Sequence, residues 1–148
     1  MKNVKFTNNL KGIIFPVFIA LLMTFFLSAC AKKVTFPDSP IVPAAQGYVK
    51  VKQDNNDNYA IEVNVTHLAA PERLSPPKKV YVVWMETEAT RVENIGQLNI
   101  SSGLLSNTRK GSLETVSSYK PSEVFITAED NSNIQYPGIH VVLRANVD

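Results

Sequence analysis

The stretch YAIEVNVTHL, residues 59–68, decides the fold. Successive side chains of an extended chain point to opposite faces, so Tyr59, Ile61, Val63 and Val65 share one side while Glu62, Asn64 and Thr66 share the other. One face is dry and the other wet. Just upstream, DNNDN (54–58) is made of turn formers and YVKVKQ (48–53) alternates again, which predicts a hairpin. Downstream, KVYVVWME (79–86) is apolar on both faces, as a central strand is, with Pro76-Pro77 fencing its start. In VENIGQLNI (92–100) the apolar positions change parity around Gly96, which predicts a β-bulge. SLETV (112–116) is a weak strand after a polar loop. EVFITAE (123–129) is again apolar on both faces, and GIHVVLRANV (138–147) closes the chain with Ile139, Val141 and Leu143 expected on one face. Seven short strands separated by turn signals, with no helical period, imply an all-β antiparallel sandwich over residues 47–148.

The N-terminus reads differently. Lys2, Lys5 and Lys11 precede IIFPVFIALLMTFFL (13–27), and the small pair Ser28-Ala29 follows. A basic region, an apolar core and small residues before a cut make a secretory signal peptide over residues 1–29. The apolar run is shorter than the about 20 residues a membrane span needs. Leu27-Ser28-Ala29-Cys30 is similar to the lipobox of bacterial lipoproteins. That resemblance implies cleavage before Cys30, a diacylglycerol on its thiol and a fatty acyl group, such as palmitate, on the new amine. Cys30 is the sole cysteine, so no internal disulfide competes for it. Each buried CH₂ contributes about 0.8 kcal/mol, and two or three chains make a lasting membrane anchor. Ala31 replaces the Asp that resembles an inner-membrane retention signal, and Lys32-Lys33 is basic. The expected location is the bacterial cell envelope: the outer membrane where the host has one, otherwise the outer face of the cytoplasmic membrane.

Removing the signal and its three lysines leaves 119 residues with 12 basic and 13 acidic side chains, a net charge of −1. That suits one domain. It offers no concentrated basic face for nucleic acid. Between Cys30 and the first strand, AKKVTFPDSPIVPAAQ (31–46) carries Pro37, Pro40 and Pro43 at every third position. This spacing predicts a semi-rigid polyproline II tether over residues 30–46, about 50 Å long at about 3.1 Å per residue.

The order of residues in the domain resembles the C-terminal, extracytoplasmic domain of anti-sigma-K factors. The matching positions are Tyr81 and Trp84, Gly96 and Leu98, Val124, Ile126, Thr127 and Glu129, and Pro137-Gly138, within residues 47–147. The resemblance implies an immunoglobulin-like β-sandwich. It does not extend to the cytoplasmic helical domain that grips a sigma factor, nor to a spanning helix, so what it implies is a sensory or interaction module alone.

Candidate sites divide between chemistry and packing. Trp84 and Tyr81 could stack on sugars, but alternation sends them to opposite faces of an apolar strand, where packing is expected. Asp54, Asn56 and Asn58 open like a calcium loop, yet its sixth and twelfth positions are Tyr59 and Val65 in place of Gly and Glu. A hairpin loop is expected there. His67 and His140 each stand alone, without thiolates for zinc or a nucleophile to serve. Glu86 and Glu88 read as a solvated strand end, unlike a glycosidase pair set across a cleft. Leu104-Leu105 stand in a polar connection, either tucked under the sandwich or exposed as a contact. No catalytic residue, metal or cofactor is expected. The function read from these residues is a non-catalytic binding, sensory or structural module, with a possible envelope protein partner and the membrane itself through Cys30. The alternative is a small-ligand or carbohydrate receptor that uses the end loops of the sandwich.

Overall fold

The computed structural model describes residues 31–102 and 108–148. Over these the chain is all-β, with one short 3-10 turn at Pro71–Arg73 and no helix long and apolar enough to cross a membrane. The strands are β1 Lys32–Thr35, β2 Gln46–Gln53, β3 Tyr59–Thr66, β4 Val80–Thr87, β5 Val92–Gln97, β6 Asn99–Ser102, β7 Arg109–Ser117, β8 Pro121–Glu129 and β9 Val141–Asn146. They form two antiparallel sheets, in the orders β1-β2-β3-β7-β6 and β5-β4-β8-β9.

β3 folds as its alternation dictates. Ile61, Val63 and Val65 are buried, and Val49 of β2 stands opposite Val63. From the other sheet the same core receives Tyr81, Val83 and Met85 of β4, Val124, Ile126 and Ala128 of β8, and Val142, Leu143 and Ala145 of β9. Burying one such side chain is worth about 1.5–3 kcal/mol. The Tyr81 hydroxyl donates to the Ala69 carbonyl at 3.1 Å, and burial pushes its pKa up to about 12.

The expected bulge sits where the parity slips. Val83 faces Gly96 and Trp84 faces Asn94, so Ile95 is the extra residue. Gly96 has φ +136°, a conformation open to glycine, and its N–H donates to Asn94 Oδ1 at 3.1 Å. Beyond the bulge the strand does not stay in its sheet. Leu98 is buried in the core, its N–H reaches the Tyr81 carbonyl at 2.9 Å, and the chain continues as β6 in the opposite sheet. The single strand expected over 92–100 is therefore a sheet crossing.

Two further expectations are corrected. Of the segment read as a semi-rigid polyproline II tether, residues 31–46 belong to the domain. Lys32 to Thr35 pair with Val51 to Tyr48, and Phe36, Val42 and Ala45 enter the core. Ser39 Oγ accepts the Val42 N–H at 2.9 Å and turns the chain. The reason is the apolar set Val34, Phe36, Ile41 and Val42, which buries more surface than a solvated polyproline helix can. Compact structure therefore runs from Ala31 to Asp148. At the other end of the chain, Ile139 does not share a face with Leu143. Thr127 faces Val141 and Ile126 faces Leu143, so a second bulge turns both Val142 and Leu143 inward and leaves Ile139 exposed.

Candidate interaction surface

The outer faces of the two sheets are built on opposite plans. On the four-stranded sheet, one row across the strands reads Asn94, Trp84, Phe125, Arg144. Trp84 and Phe125 are stacked, 6.4 Å between centroids and 15° between planes. Arg144 lies 4.4 Å over the Phe125 ring and pairs with Glu123. With Val82 these aromatics form a second apolar cluster, separate from the main core.

That cluster stays dry because residues 130–140, the β8–β9 connection, lie across it. Ile134 packs on it, and Asn94 Nδ2 donates to the carbonyls of Ser132 at 2.8 Å and Ile134 at 3.0 Å. Lys78 holds Asp130 at 2.8 Å. The deepest attachment is a chain of buried polar groups. Trp84 Nε1 donates to Thr127 Oγ1 at 2.8 Å, which donates to Glu129 Oε1 at 2.6 Å, which also accepts the Gly138 N–H at 2.7 Å. Each buried group has its partner, which makes the network rigid instead of costly. A Cβ on Gly138 would stand 2.7 Å from Glu129 Oε2, so a side chain there would have to push the bonded carboxylate aside. The connection thus clamped presents Tyr136 and Ile139 outward, 80% and 90% exposed. Tyr136 and Ile139 flank the Pro137-Gly138 pair, and nothing in the local pattern of residues 130–140 marks them as a contact point.

The outer face of the five-stranded sheet is wet. Glu62 Oε1 accepts from the Tyr48 hydroxyl at 3.0 Å and from Asn64 Nδ2 at 2.8 Å, while Oε2 lies 3.6 Å from Lys50 Nζ. The Lys33 ammonium sits 3.8 Å from the centroid of the Tyr48 ring. Hydrogen bonding to the Glu62 carboxylate raises the Tyr48 pKa above its ordinary value. Next to this network a depression of about 360 Å³ is lined by Lys50, Lys52, Ala60, Glu62, Glu114 and Val116 among others. It is an open groove with mixed charge.

The residues singled out from sequence fall as follows. Cys30 and Leu104-Leu105 lie outside the described residues. Tyr81 is in the main core and Trp84 in the outer cluster, both fully buried, so neither ring is open to a sugar. Asp54 closes the β2–β3 hairpin loop: its Oδ1 accepts the N–H groups of Asn56 at 2.8 Å and Asn58 at 2.9 Å. The N–H bonds from Asn58 and then Asn56 hold its carboxyl below the usual range. Glu86 faces Glu123 across the ladder, while Glu88 pairs with Lys120, so the two acids do not act together. His67 adopts φ +58° at the end of β3 with Nδ1 3.2 Å from Thr66 Oγ1, and the His140 carbonyl accepts the Ala128 N–H at 3.0 Å. Among the described residues no three His, Cys, Asp or Glu side chains converge as metal ligands.

Compared with protein-family models, with curated proteins and with solved structures, the chain finds no match.

Proposed function

We propose that this chain is a lipid-anchored protein of the bacterial envelope whose immunoglobulin-like β-sandwich binds a protein partner without catalysis. The observation that carries the reading is the clamped pair Tyr136 and Ile139. Large apolar side chains at 80% and 90% exposure sit on a connection fixed from beneath by a buried carboxylate. Rigid aromatic and aliphatic tips lose little entropy on contact and supply hot spots of binding. The one buried carboxylate among the described residues, Glu129, is engaged by Thr127 and Gly138, which supports a structural role for it.

The architectural part of the reading is supported by strand order. β2-β3-β7-β6 against β5-β4-β8-β9 corresponds to strands A-B-E-D against C′-C-F-G of the immunoglobulin fold, with β1 as an added edge. The likeness to the outer domain of anti-sigma-K factors is supported by the structural jobs of the shared positions. Tyr81 fills the core, Gly96 makes the bulge, Leu98 crosses the sheets, and Glu129 holds Gly138. The anchor rests on the lipobox at Cys30.

The test is a photo-cross-linking residue placed at position 136 of the full protein in intact cells, with position 50 on the wet face as reference. A discrete protein adduct at 136 and none at 50 is expected. Tyr136→Ala with Ile139→Ala should weaken the interaction by about 2 kcal/mol, roughly 30-fold. Equal adduct patterns at 136 and 50, or a double variant that binds as tightly as the parent, sink the reading.

A further inference from the structure

The end of the domain nearest the anchor has a geometry that the tether expectation concealed. β1 begins at Lys32, so Ala31 alone stands between Cys30 and the first strand. Adjacent Cα atoms are about 3.8 Å apart, which leaves about 7 Å between Cys30 and Lys32. The headgroup layer on each side of a bilayer is itself about 5–7 Å thick. No slack remains to lift the domain away.

The strand registers identify which end must meet the lipid. Lys32 pairs with Val51, and β2 runs on to Gln53 before turning, so the loop 54–58 projects past the start of β1. The neighbouring connections share that end. Tyr59 faces Ser117, and Ser118 Oγ donates to Asn58 Oδ1 at 3.4 Å. Thr87 faces Pro121, Lys120 pairs with Glu88, and the Arg91 guanidinium lies 5.3 Å over the Tyr119 ring. The loops 54–58, 88–91 and 118–120 therefore form one end face. Residues 130–140 spring from the opposite end, after Glu129, which faces Val80 at the start of β4.

Resting on the lipid at Cys30 proposed above, we infer that this end face, formed by loops 54–58, 88–91 and 118–120, is seated directly on the phospholipid headgroup layer. Tyr119, half exposed, has the apolar body and polar tip that suit a headgroup boundary, with Arg91 and Lys120 beside it to meet phosphates. Asp54, Asp57 and Glu88 share the face, so charge alone does not draw it to an anionic surface. The short link imposes the seat. It follows that the seat is insensitive to salt and to the fraction of anionic lipid, in contrast to a polybasic docking patch. The seat also sets Ile139, beside the start of β9 at the opposite end, away from the bilayer.

The experiment uses the full lipoprotein in vesicles of phosphatidylethanolamine and phosphatidylglycerol, with intact mass recorded first to detect acylation. A fluorophore is placed in turn at Asn56→Cys, Tyr119→Cys and Gln135→Cys, since the thiol of Cys30 is consumed as a thioether, and a headgroup-labelled lipid serves as quencher. Probes at 56 and 119 are expected to be quenched several-fold more strongly than the probe at 135, with the ratio unchanged in high salt or without phosphatidylglycerol. Equal quenching at all three positions in an acylated protein overturns the seat and leaves the anchor standing. A ratio that collapses with salt also overturns it, in favour of electrostatic adsorption. A mass without acyl chains removes anchor and seat together.

Discussion

The two outer faces of this molecule use the same pleated geometry for opposite ends. On the four-stranded sheet the row Asn94–Trp84–Phe125–Arg144 is aromatic at its centre and covered by residues 130–140. On the five-stranded sheet the row Lys50–Glu62–Glu114 is charged and open to water. A sheet with one solvated face needs alternation, and β3 has it. A sheet covered on both sides needs apolar residues at both parities, and β4 and β8 have those. The lesson is that a two-sided strand need not lie between two sheets: here its second cover is the β8–β9 connection.

The comparison can be broken from the dry side first. Trp84→Ala should cost about 3–5 kcal/mol, because it empties the cluster and removes the donor to Thr127 Oγ1, whereas Lys50→Ala on the wet face should stay within about 0.5 kcal/mol. Denaturant midpoints of the two variants decide this, and equal shifts would mean the outer cluster is not a second core. Next in size, Glu129→Ala removes the acceptor shared by Thr127 and Gly138 and should cost about 1–3 kcal/mol. Its signature is local: protease cleavage within residues 130–140 and faster amide exchange at Gly138, while the protection of β3 is kept. Uniform loss of protection would show that the clamp and the main core unfold as one unit. The smallest effect belongs to Tyr48→Phe, which deletes the half-buried hydrogen bonds that the hydroxyl makes to Glu62 and accepts from Asn64 and should change stability by less than about 1 kcal/mol, since Glu62 keeps Asn64 and Lys50 as partners. A larger loss would mean that the wet network is a structural element in its own right.

Much of this architecture was legible in local pattern. The alternation in β3, the hairpin at 54–58 and the bulge beside Gly96 depend on neighbours in sequence, and each stands where the pattern puts it. Trp84 was legible as a packed residue. Its cover was not, because Glu129 and Gly138 acquire their meaning only when β8 and the β8–β9 connection fold back over β4. Residues 31–45 were misread because three evenly spaced prolines outweighed Val34 and Phe36, whose value as core residues depends on pairing with β2. Ile139 was misplaced by counting parity through a bulge that no glycine marks. The interaction surface was the least legible part: Tyr136 in a polar loop has no local signature, and its exposure is a product of the clamp.

With the lipid proposed at Cys30 in place, a strand that starts one residue away would also make the domain a mechanical part. Held there and pulled from the opposite end of the domain, where residues 130–140 leave β8, it would carry force along β1, so the pairs from Lys32–Val51 to Thr35–Tyr48 would be loaded in shear, together, instead of being peeled one by one. Only when that ladder slips do residues 31–45 unreel, about 50 Å of chain at about 3.3–3.6 Å per residue. The link then behaves like a seat belt: short at rest, and lengthened by load alone.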